Sequence, residues 1–402
     1  MEAPSIRAAM AHHQRGEITQ AESMYVELLR QKPDDADALH YLGVLRMAQG
    51  RTADAVELVQ RALEVTPGNA VAWNSLGNML VLCKELKAAE VAYTKATTIQ
   101  PNFTEAWFNL ANYYRNTDQA GLAVQCFQRV IDLKPKFSSA YENIALLFDK
   151  MGKPELRVEV LRKWAEAEPD NAVPRHMLAA YSEGPMPERA PVAFVTHMFD
   201  RFADNFDESL ARLEYNGPRL VRQALQGVLP LGKGDLVVLD AGCGTGLSGL
   251  ELRDSARKLV GVDLSGRMLV KARDRAIYDE LHLSELVGFM SARPATFDLI
   301  ACVDTLIYFG RLDEVIGAAA QSLKPGGVLA FTLESEPAES TSNYRLSGHG
   351  RYSHRAGYLR ACLADAKFQI ARFEDAVARK ELAKEVPGYV VVAHLAAHSR
   401  VA

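Results

Sequence analysis

Prolines recur at a fixed interval in the first half of the chain and constrain its fold more than any other feature. They stand at positions 33, 67, 101, 135 and 169, each 34 residues after the one before. Within this frame an alanine recurs at 21, 55, 89 and 123, and a large residue at 39, 73, 107 and 141. A fixed period of this length predicts a stack of similar helical units, because each unit buries its apolar face against its neighbours.

The period and its marker residues resemble the tetratricopeptide repeat, which has two antiparallel helices per unit. The resemblance predicts an all-α domain over residues 1–183, with about five repeats and a capping helix. The first unit is degenerate, and Arg157 replaces the expected alanine in the fifth. It also implies a groove lined by the first helix of each repeat.

Carboxamides in this groove are candidates for holding peptide backbone, because they donate and accept hydrogen bonds together. The alternative is that they are solvated or bond within the repeats. The predicted peptide-binding residues are Asn74, Asn78, Asn109, Asn112 and Asn143, and Arg115 is a further position in the groove.

A glycine turn organises the second half of the chain. Residues 237–239 form a short β-branched apolar run, which predicts a buried strand. Gly242, Gly244 and Gly246 follow, and glycine permits positive φ and the close approach of a ligand. A helix-like segment comes next, and a second apolar strand ends in Asp263, 17 residues after Gly246. Strand, glycine turn and helix predict a nucleotide site, with Asp263 binding a ribose diol.

The sequence Asp-x-Gly-x-Gly-x-Gly from Asp240 resembles motif I of the class I S-adenosylmethionine-dependent methyltransferases. Leu-Lys-Pro-Gly-Gly at residues 323–327 strengthens the likeness. A nicotinamide site is the alternative, although its third glycine is missing. The resemblance implies a Rossmann-like α/β domain over residues 199–402, joined by a linker at 184–198. The whole chain resembles bacterial methyltransferases with N-terminal repeats.

The resemblance implies S-adenosylmethionine as cofactor and S-adenosylhomocysteine as product. Phe206 and Asp207 fall in a segment that covers the cofactor pocket in such enzymes. Met268 is equally well explained as a core residue. The sequence gives only a weak signal for the third strand, near residues 281–286. The predicted cofactor contacts are Asp240, Gly242, Cys243, Gly244, Gly246, Asp263, Leu264, Met268, Glu285 and Asp304.

Acceptor residues are expected in the loops beyond the fourth and fifth strands. Tyr308 follows the fourth strand, and a polar loop at 344–354 carries Arg351 and Tyr352, which are predicted to bind substrate. The same loop is equally explained as solvated surface. A general base is needed only if the acceptor is protonated. The candidates for that role are His349, His354 and Asp304.

Composition narrows the function further. The net charge of −4 gives no reason to expect nucleic acid as a partner. Five scattered cysteines without a CxxC pair suit a reducing, cytoplasmic setting and predict no metal site. No apolar run is long enough to span a membrane, and no signal peptide is evident.

These features predict an enzyme that methylates a peptide or protein recruited by its repeats. One alternative is a non-catalytic, cofactor-binding assembly factor. Another is a small-molecule O- or N-methyltransferase whose repeats serve oligomerisation, and the oligomeric state is left open.

Overall fold

A computed structural model describes residues 5–182, 184–381 and 384–396. The chain divides into two compact units, Met1–Pro169 and Asp170–Ala402. The helix predicted to cap the repeats falls in the second unit. Within the described ranges, no helix combines the length and the apolar character that crossing a bilayer requires.

Consecutive helix pairs build the described part of the first unit. The first helix of each pair begins three residues after a repeat proline, at 36, 70, 104 and 138, so successive pairs are 34 residues apart. The helices are α1 (Ile6–Gln14), α2 (Ile18–Gln31), α3 (Ala36–Ala48), α4 (Thr52–Val65), α5 (Ala70–Leu82), α6 (Leu86–Ile99), α7 (Thr104–Asn116), α8 (Ala120–Leu133), α9 (Ser138–Lys150) and α10 (Pro154–Ala167). The predicted helical array is confirmed.

Small residues set the distance between the helices of a pair. A Cβ added to Gly43 would lie 2.6 Å from Val59, and one added to Gly77 would lie 2.5 Å from Tyr93. The recurring alanines are fully buried for the same reason. In the fifth pair Arg157 is buried instead, and its Nη1 lies 2.8 Å from Asp149.

The second unit alternates helices with strands. Its elements are α11 (Ala172–Ala179), α12 (Val192–Phe202), α13 (Phe206–Arg212), α14 (Gly217–Ala224), β1 (Leu236–Ala241), α15 (Leu247–Leu252), β2 (Ala256–Asp263), α16 (Gly266–Asp274), β3 (Glu280–Leu283), α17 (Leu286–Ser291), β4 (Phe297–Cys302), α18 (Asp313–Ser322), β5 (Leu323–Ser335), β6 (Tyr344–Leu346), β7 (Tyr352–His354), α19 (Ala356–Asp365), β8 (Phe368–Glu381) and β9 (Lys384–Leu395).

The sheet is mostly parallel, in the order β3-β2-β1-β4-β5-β9-β8, with β9 antiparallel to both neighbours. Alternate residues of β1 enter two different hydrophobic clusters, with Val237 and Leu239 in one and Leu236 and Val238 in the other. Successive side chains of a strand point to opposite faces, so both faces of the sheet are covered. This is the doubly wound arrangement predicted for the second domain.

Two segments differ from expectation. The predicted polar loop at 344–354 contains β6 and β7, which pair with each other, and β7 extends the end of β5. The predicted linker is ordered in part, because α12 already begins at Val192.

Residues 186–190 of that linker, called the strap below, lie along the loop after β4. The amide of Ala190 donates to Tyr308 at 2.8 Å, and the carbonyl of Glu188 accepts from Gly310 at 2.9 Å. Prolines keep this stretch out of a helix and in extended backbone, which leaves its remaining polar groups free to pair with a neighbouring segment.

Candidate cofactor and acceptor site

The turn after β1 has the geometry of a ligand cradle. The amide of Gly242 donates to the carbonyl of Val262 at 2.8 Å, which ties the turn to β2. A Cβ added to Gly242 would lie 2.3 Å from Thr305 Oγ1, so this position is closely packed. Gly244 has φ +53°, but its added Cβ would meet nothing nearer than Phe206, at 3.9 Å. The backbone at Gly244 is therefore open to a ligand.

Asp263, the last residue of β2, faces this turn. Its Oδ2 accepts a hydrogen bond from the amide of Gly244 at 2.8 Å, and its Oδ1 accepts one from the amide of Ser265 at 2.8 Å. Burial raises the pKa of the Asp263 carboxyl, while the backbone donors act in the opposite direction. A carboxylate at the carboxyl edge of two parallel strands is well placed to bind ribose hydroxyls.

Asp240, on β1, has no exposed surface. Burial raises the pKa of its carboxyl to about 7. Its Oδ2 accepts a hydrogen bond from the Tyr278 hydroxyl at 2.6 Å, whereas its Oδ1 has no hydrogen-bond partner among the described residues. Sequence reasoning missed Tyr278, because a tyrosine 38 residues from Asp240 belongs to no motif.

Residues 192–212, called the cover segment below, are fastened to both sides of this cradle. Thr245 Oγ1 donates to Asp207 at 2.5 Å, next to the open glycine. Ser265 Oγ donates to Asp200 at 2.6 Å, next to Asp263. The segment therefore lies beside the cradle, where the sequence predicts a cover for the cofactor pocket.

Asp304 lies just beyond β4, at the same edge of the sheet. Its φ of +51° is unusual for a residue with a Cβ, and such conformations cluster at functional sites. Thr332 Oγ1 donates to its Oδ1 at 2.8 Å, and Arg379 Nη1 donates to its Oδ2 at 2.8 Å. The neighbouring Thr305 donates to the carbonyl of Ala241 at 2.8 Å, so Asp304 borders the glycine turn.

Arg379 is the centre of an ion-pair network at this edge. It is buried and donates to Asp304, Glu334 and Glu381. Arg351 joins the same two glutamates, 2.9 Å from Glu334 and 2.5 Å from Glu381. Burial acts to lower the pKa of Arg379, but the carboxylates outweigh it and raise that pKa. Three carboxylates against two guanidinium groups leave the network with one net negative charge.

Aromatic rings connect the cover segment to this edge. The ring of Phe199 is 5.9 Å from that of Phe206 and 5.6 Å from that of Tyr308, between centroids. Burial raises the pKa of Tyr308 to about 12. Its phenol is therefore neutral near pH 7 and is able to donate a hydrogen bond.

Comparison with known families agrees with both halves of the chain. Residues 238–327 match the family described as "Methyltransferase domain". Residues 6–70, 42–102 and 92–125 match families described as "Tetratricopeptide repeat". Residues 238–327 therefore carry a methyltransferase domain, and tetratricopeptide repeats precede it in the chain. The match to a methyltransferase domain agrees with S-adenosylmethionine, the cofactor that the sequence predicts.

Individual relatives cover parts of the chain. Human Methyltransferase-like protein 27 is 35% identical over 141 residues, which are 35% of this chain and 57% of that protein. The ubiquinone biosynthesis O-methyltransferase of Azoarcus sp. (strain BH72) is 30% identical over 99 residues, 24% of this chain and 42% of that protein. The chain spans about half the length of the curated relatives it matches. The crystal structure of MamA covers 40% of this chain and 94% of its own, with 24% identity and a TM-score of 0.38.

The methyltransferase residues at the cradle fit S-adenosylmethionine. Gly244 leaves an open approach, Asp263 offers acceptors for a ribose, and the Oδ1 of Asp240 lacks a hydrogen bond that a polar ligand group can satisfy. When bound, the cofactor supplies a methyl group activated on a sulfonium. The role of each named residue toward it stays a prediction.

The other residues predicted to contact the cofactor surround the cradle. Cys243 is buried in the turn, Gly246 directly precedes α15 with φ +96°, and Leu264 follows Asp263 and is half-buried. Met268 is fully buried in the first turn of α16, and Glu285 caps α17 by accepting from an amide at 2.8 Å. Their contacts with the cofactor stay predictions.

The two histidine candidates lie in different surroundings. His354 is fully buried, its Nε2 donates to the Gly310 carbonyl at 3.0 Å, and burial lowers its pKa to about 4. Tyr352 is fully buried as well, with its hydroxyl donating to the strap at 2.9 Å. Pairing of β6 with β7 turns both side chains inward, which a loop prediction cannot anticipate. His349 is exposed and acts electrostatically on Glu381.

The repeat asparagines bond largely to one another and to neighbouring helices. Asn74 is buried and accepts from Asn109 Nδ2 at 3.0 Å, one repeat away. Asn143 is buried and accepts from Arg115, also across repeats. The alternative of bonding within the array therefore describes Asn74 and Asn143 better than peptide binding does.

The remaining polar residues on these helices are more open. Asn78 is exposed and accepts from the Tyr93 hydroxyl at 2.7 Å, and Asn112 is half-buried. Arg115 is half-buried and, among the described residues, hydrogen-bonds only to the carboxamides of Asn116 and Asn143. Burial lowers the pKa of Arg115. A guanidinium with no carboxylate beside it favours an incoming anion.

Proposed function

We propose that the protein transfers the methyl group of S-adenosylmethionine to a peptide or protein held by its repeats. The observation that carries this proposal is the presence, in one chain, of the Arg379 network beside the cofactor cradle and of a repeat array with open polar positions. An acceptor bound by the repeats is tethered to the methyl donor, which raises its effective concentration.

The Arg379 network supports transfer rather than cofactor binding alone. A protein that only stores cofactor needs the glycine turn and Asp263. Here a buried guanidinium and a carboxylate in left-handed backbone are also kept at the neighbouring edge, and both features cost free energy. Such features are expected where an acceptor has to be aligned.

Alignment and exclusion of water are the tasks left to this chain, because the methyl donor carries its own activation. The cover segment and Tyr308 are placed to exclude water. Both oxygens of Asp304 are already hydrogen-bonded, and His354 is buried, which argues against either as a general base. An acceptor that needs no base from the protein fits best, and the net negative network favours a neutral, unprotonated one over a carboxylate.

Arg115 supports recruitment of a peptide by the repeats. Its guanidinium suits an acidic side chain of the peptide, while the half-buried Asn109 and Asn112 suit its backbone. A second candidate is a small-molecule acceptor, which the similarity to a ubiquinone biosynthesis O-methyltransferase favours.

The test follows a tritiated methyl group. The purified full chain is incubated with labelled S-adenosylmethionine and a cell lysate, and label is counted in acid-precipitable protein and in the acid-soluble fraction after the unreacted donor has been removed by cation exchange. We expect label in protein, reduced several-fold by Arg115→Gln and unchanged by Arg162→Gln, an exposed arginine on α10. Binding of S-adenosylhomocysteine should be equal in all three chains.

The other outcomes are distinct. Label confined to the acid-soluble fraction would establish the small-molecule candidate. Absence of label in both fractions, with S-adenosylhomocysteine still bound, would favour a non-catalytic assembly factor. Equal labelling by the Arg115→Gln and Arg162→Gln variants would remove Arg115 from recruitment.

A further inference from the structure

The ring of Tyr278 is lodged against glycines from three places around the cofactor cradle. A Cβ added to Gly246, at the end of the turn, would lie 3.0 Å from the ring. One added to Gly249, in α15, would lie 2.3 Å from the phenol oxygen, and one added to Gly261, in β2, would lie 2.9 Å from the ring. A side chain at Gly249 or Gly261 is incompatible with the tyrosine in this place, and one at Gly246 would be tightly confined.

The same residue supplies a direct hydrogen bond to Asp240. The phenol oxygen is 2.6 Å from Oδ2, and no hydrogen bond reaches Oδ1 within the described residues. The backbone of Gly249 also lowers the pKa of this carboxyl. The ring also packs against the hydrophobic cluster beneath the sheet. Shape and polarity therefore converge: the glycines fix the ring, and the ring fixes the carboxylate.

The surroundings of Asp240 are otherwise acidic or neutral. The titratable groups that act on it or feel its charge are Tyr278 beside β3, Asp263 on β2, Cys243 in the turn, Cys302 on β4 and Tyr215 before α14. The guanidinium of Arg275 lies near Tyr278, but it donates to the Thr245 carbonyl and pairs with Asp207. Among these groups, Tyr278 is the one that favours the charged carboxylate by a hydrogen bond.

S-adenosylmethionine brings two positive groups, its sulfonium and its ammonium. A carboxylate buried beside the glycine turn without a cation of its own is complementary to such a ligand. We propose that Tyr278 is a positioning residue that holds Asp240 in place, as an anion, for the cationic end of the cofactor. The proposal concerns cofactor binding and does not depend on the identity of the acceptor.

The proposal gives a pH dependence with a defined sign. Burial places the pKa of Asp240 near 7, and the Tyr278 hydrogen bond lowers that pKa. Ligand affinity should therefore rise with pH through neutrality, as Asp240 ionises. Loss of the phenol oxygen should move the midpoint upward by about one unit, which leaves affinity at pH 7 about fivefold weaker and affinity at pH 9 nearly unchanged.

Titration calorimetry with S-adenosylhomocysteine from pH 6 to 9 tests this on the full chain. The comparison is wild type against Tyr278→Phe, which keeps the ring among the glycines and removes one oxygen. Tyr141→Phe is the matched control, because it removes a hydroxyl that donates to a backbone carbonyl in the repeats, and it should follow wild type. Ionisation of the ligand's own amino group is common to all chains and cancels.

Two further variants keep the test decisive. Asp240→Asn should flatten the pH profile between 6 and 8, and Tyr278→Phe added to it should change the profile no further. Coincident profiles for wild type and Tyr278→Phe would overturn the proposal. Equal weakening by Tyr278→Phe at every pH would reduce Tyr278 to a packing residue, and a pH dependence that survives Asp240→Asn would assign the titration to another group.

Discussion

Removing the charge of Asp240 should stabilise the ligand-free protein. The carboxylate is buried, so its ionised form is costly unless a ligand compensates. Asp240→Asn keeps the size and shape of the side chain, and its carbonyl oxygen still accepts the Tyr278 hydrogen bond. The perturbation is therefore close to a pure removal of negative charge.

The size of the effect follows from the pKa shift. Burial raises the pKa of Asp240 from 3.8 to about 7. Between these values the folded chain holds a proton that the unfolded chain has released, so stability falls as pH rises from about 4 to 7. A shift of about three units corresponds to about 4 kcal/mol. We expect Asp240→Asn to gain up to that amount at pH 8 and almost nothing at pH 4.

Urea unfolding at the two pH values provides the measurement. Circular dichroism follows both units, whereas tryptophan emission follows the repeats alone, because Trp73, Trp107 and Trp164 all precede residue 169. The tryptophan transition is therefore an internal control and should not move. We expect Asp240→Asn to increase the free energy of unfolding of the second unit, followed by circular dichroism, at pH 8 but not at pH 4.

The reasoning would be refuted by a variant that is destabilised at pH 8, or stabilised equally at both pH values. The first outcome would mean that the carboxylate already has a compensating partner in the folded chain. The second would mean that the gain comes from packing rather than from charge.

Two other perturbations test the cradle and its neighbour. Gly244→Ala should weaken S-adenosylhomocysteine binding, measured by calorimetry, by tenfold or more, because the added methyl group enters the open approach. Gly326→Ala is the control, since Gly326 also has a positive φ and a Cβ there would meet nothing within 4 Å. It should cost a similar amount of backbone energy, about 1 kcal/mol, and leave the affinity unchanged. Arg379→Met should lower the free energy of unfolding by about 3 kcal/mol and abolish methyl transfer, because Asp304 loses its cation. Arg372→Met, which replaces a partly exposed arginine on the same strand, should change the unfolding free energy and the methyl transfer far less. Equal losses for the two variants in urea unfolding and transfer assays would contradict the role of the network.

Local signals in the sequence were sufficient for the architecture. The proline period predicted the helix pairs, and short apolar runs ending in a glycine turn or an acid predicted β1 and β2. Ser265 caps α16 by accepting from the amide of Met268, and a cap of this kind is readable from sequence because it uses neighbouring residues. Each of these features depends on neighbours within a few positions.

Long-range pairing could not be predicted in the same way. Arg379 lies 75 residues from Asp304, and the network exists only because β8 returns to the sheet beside β9. The position of Tyr278 beside Asp240 could not be predicted, because it depends on three separate glycines and not on a sequence motif. Tyr352 and His354 were expected in a loop but lie in β7, because an alternating pattern of three residues is too short to predict a strand.

The strap limits where a recombinant fragment containing the second unit can begin. Its backbone completes an antiparallel bridge to Phe309 and accepts the Tyr352 hydroxyl, and upstream of it His176 donates to Gly350 at 3.0 Å. A recombinant fragment started at residue 199 would lack all three partners. Fragments for crystallisation, for fusion proteins or for repeat-swapping chimeras should therefore start no later than Asp170.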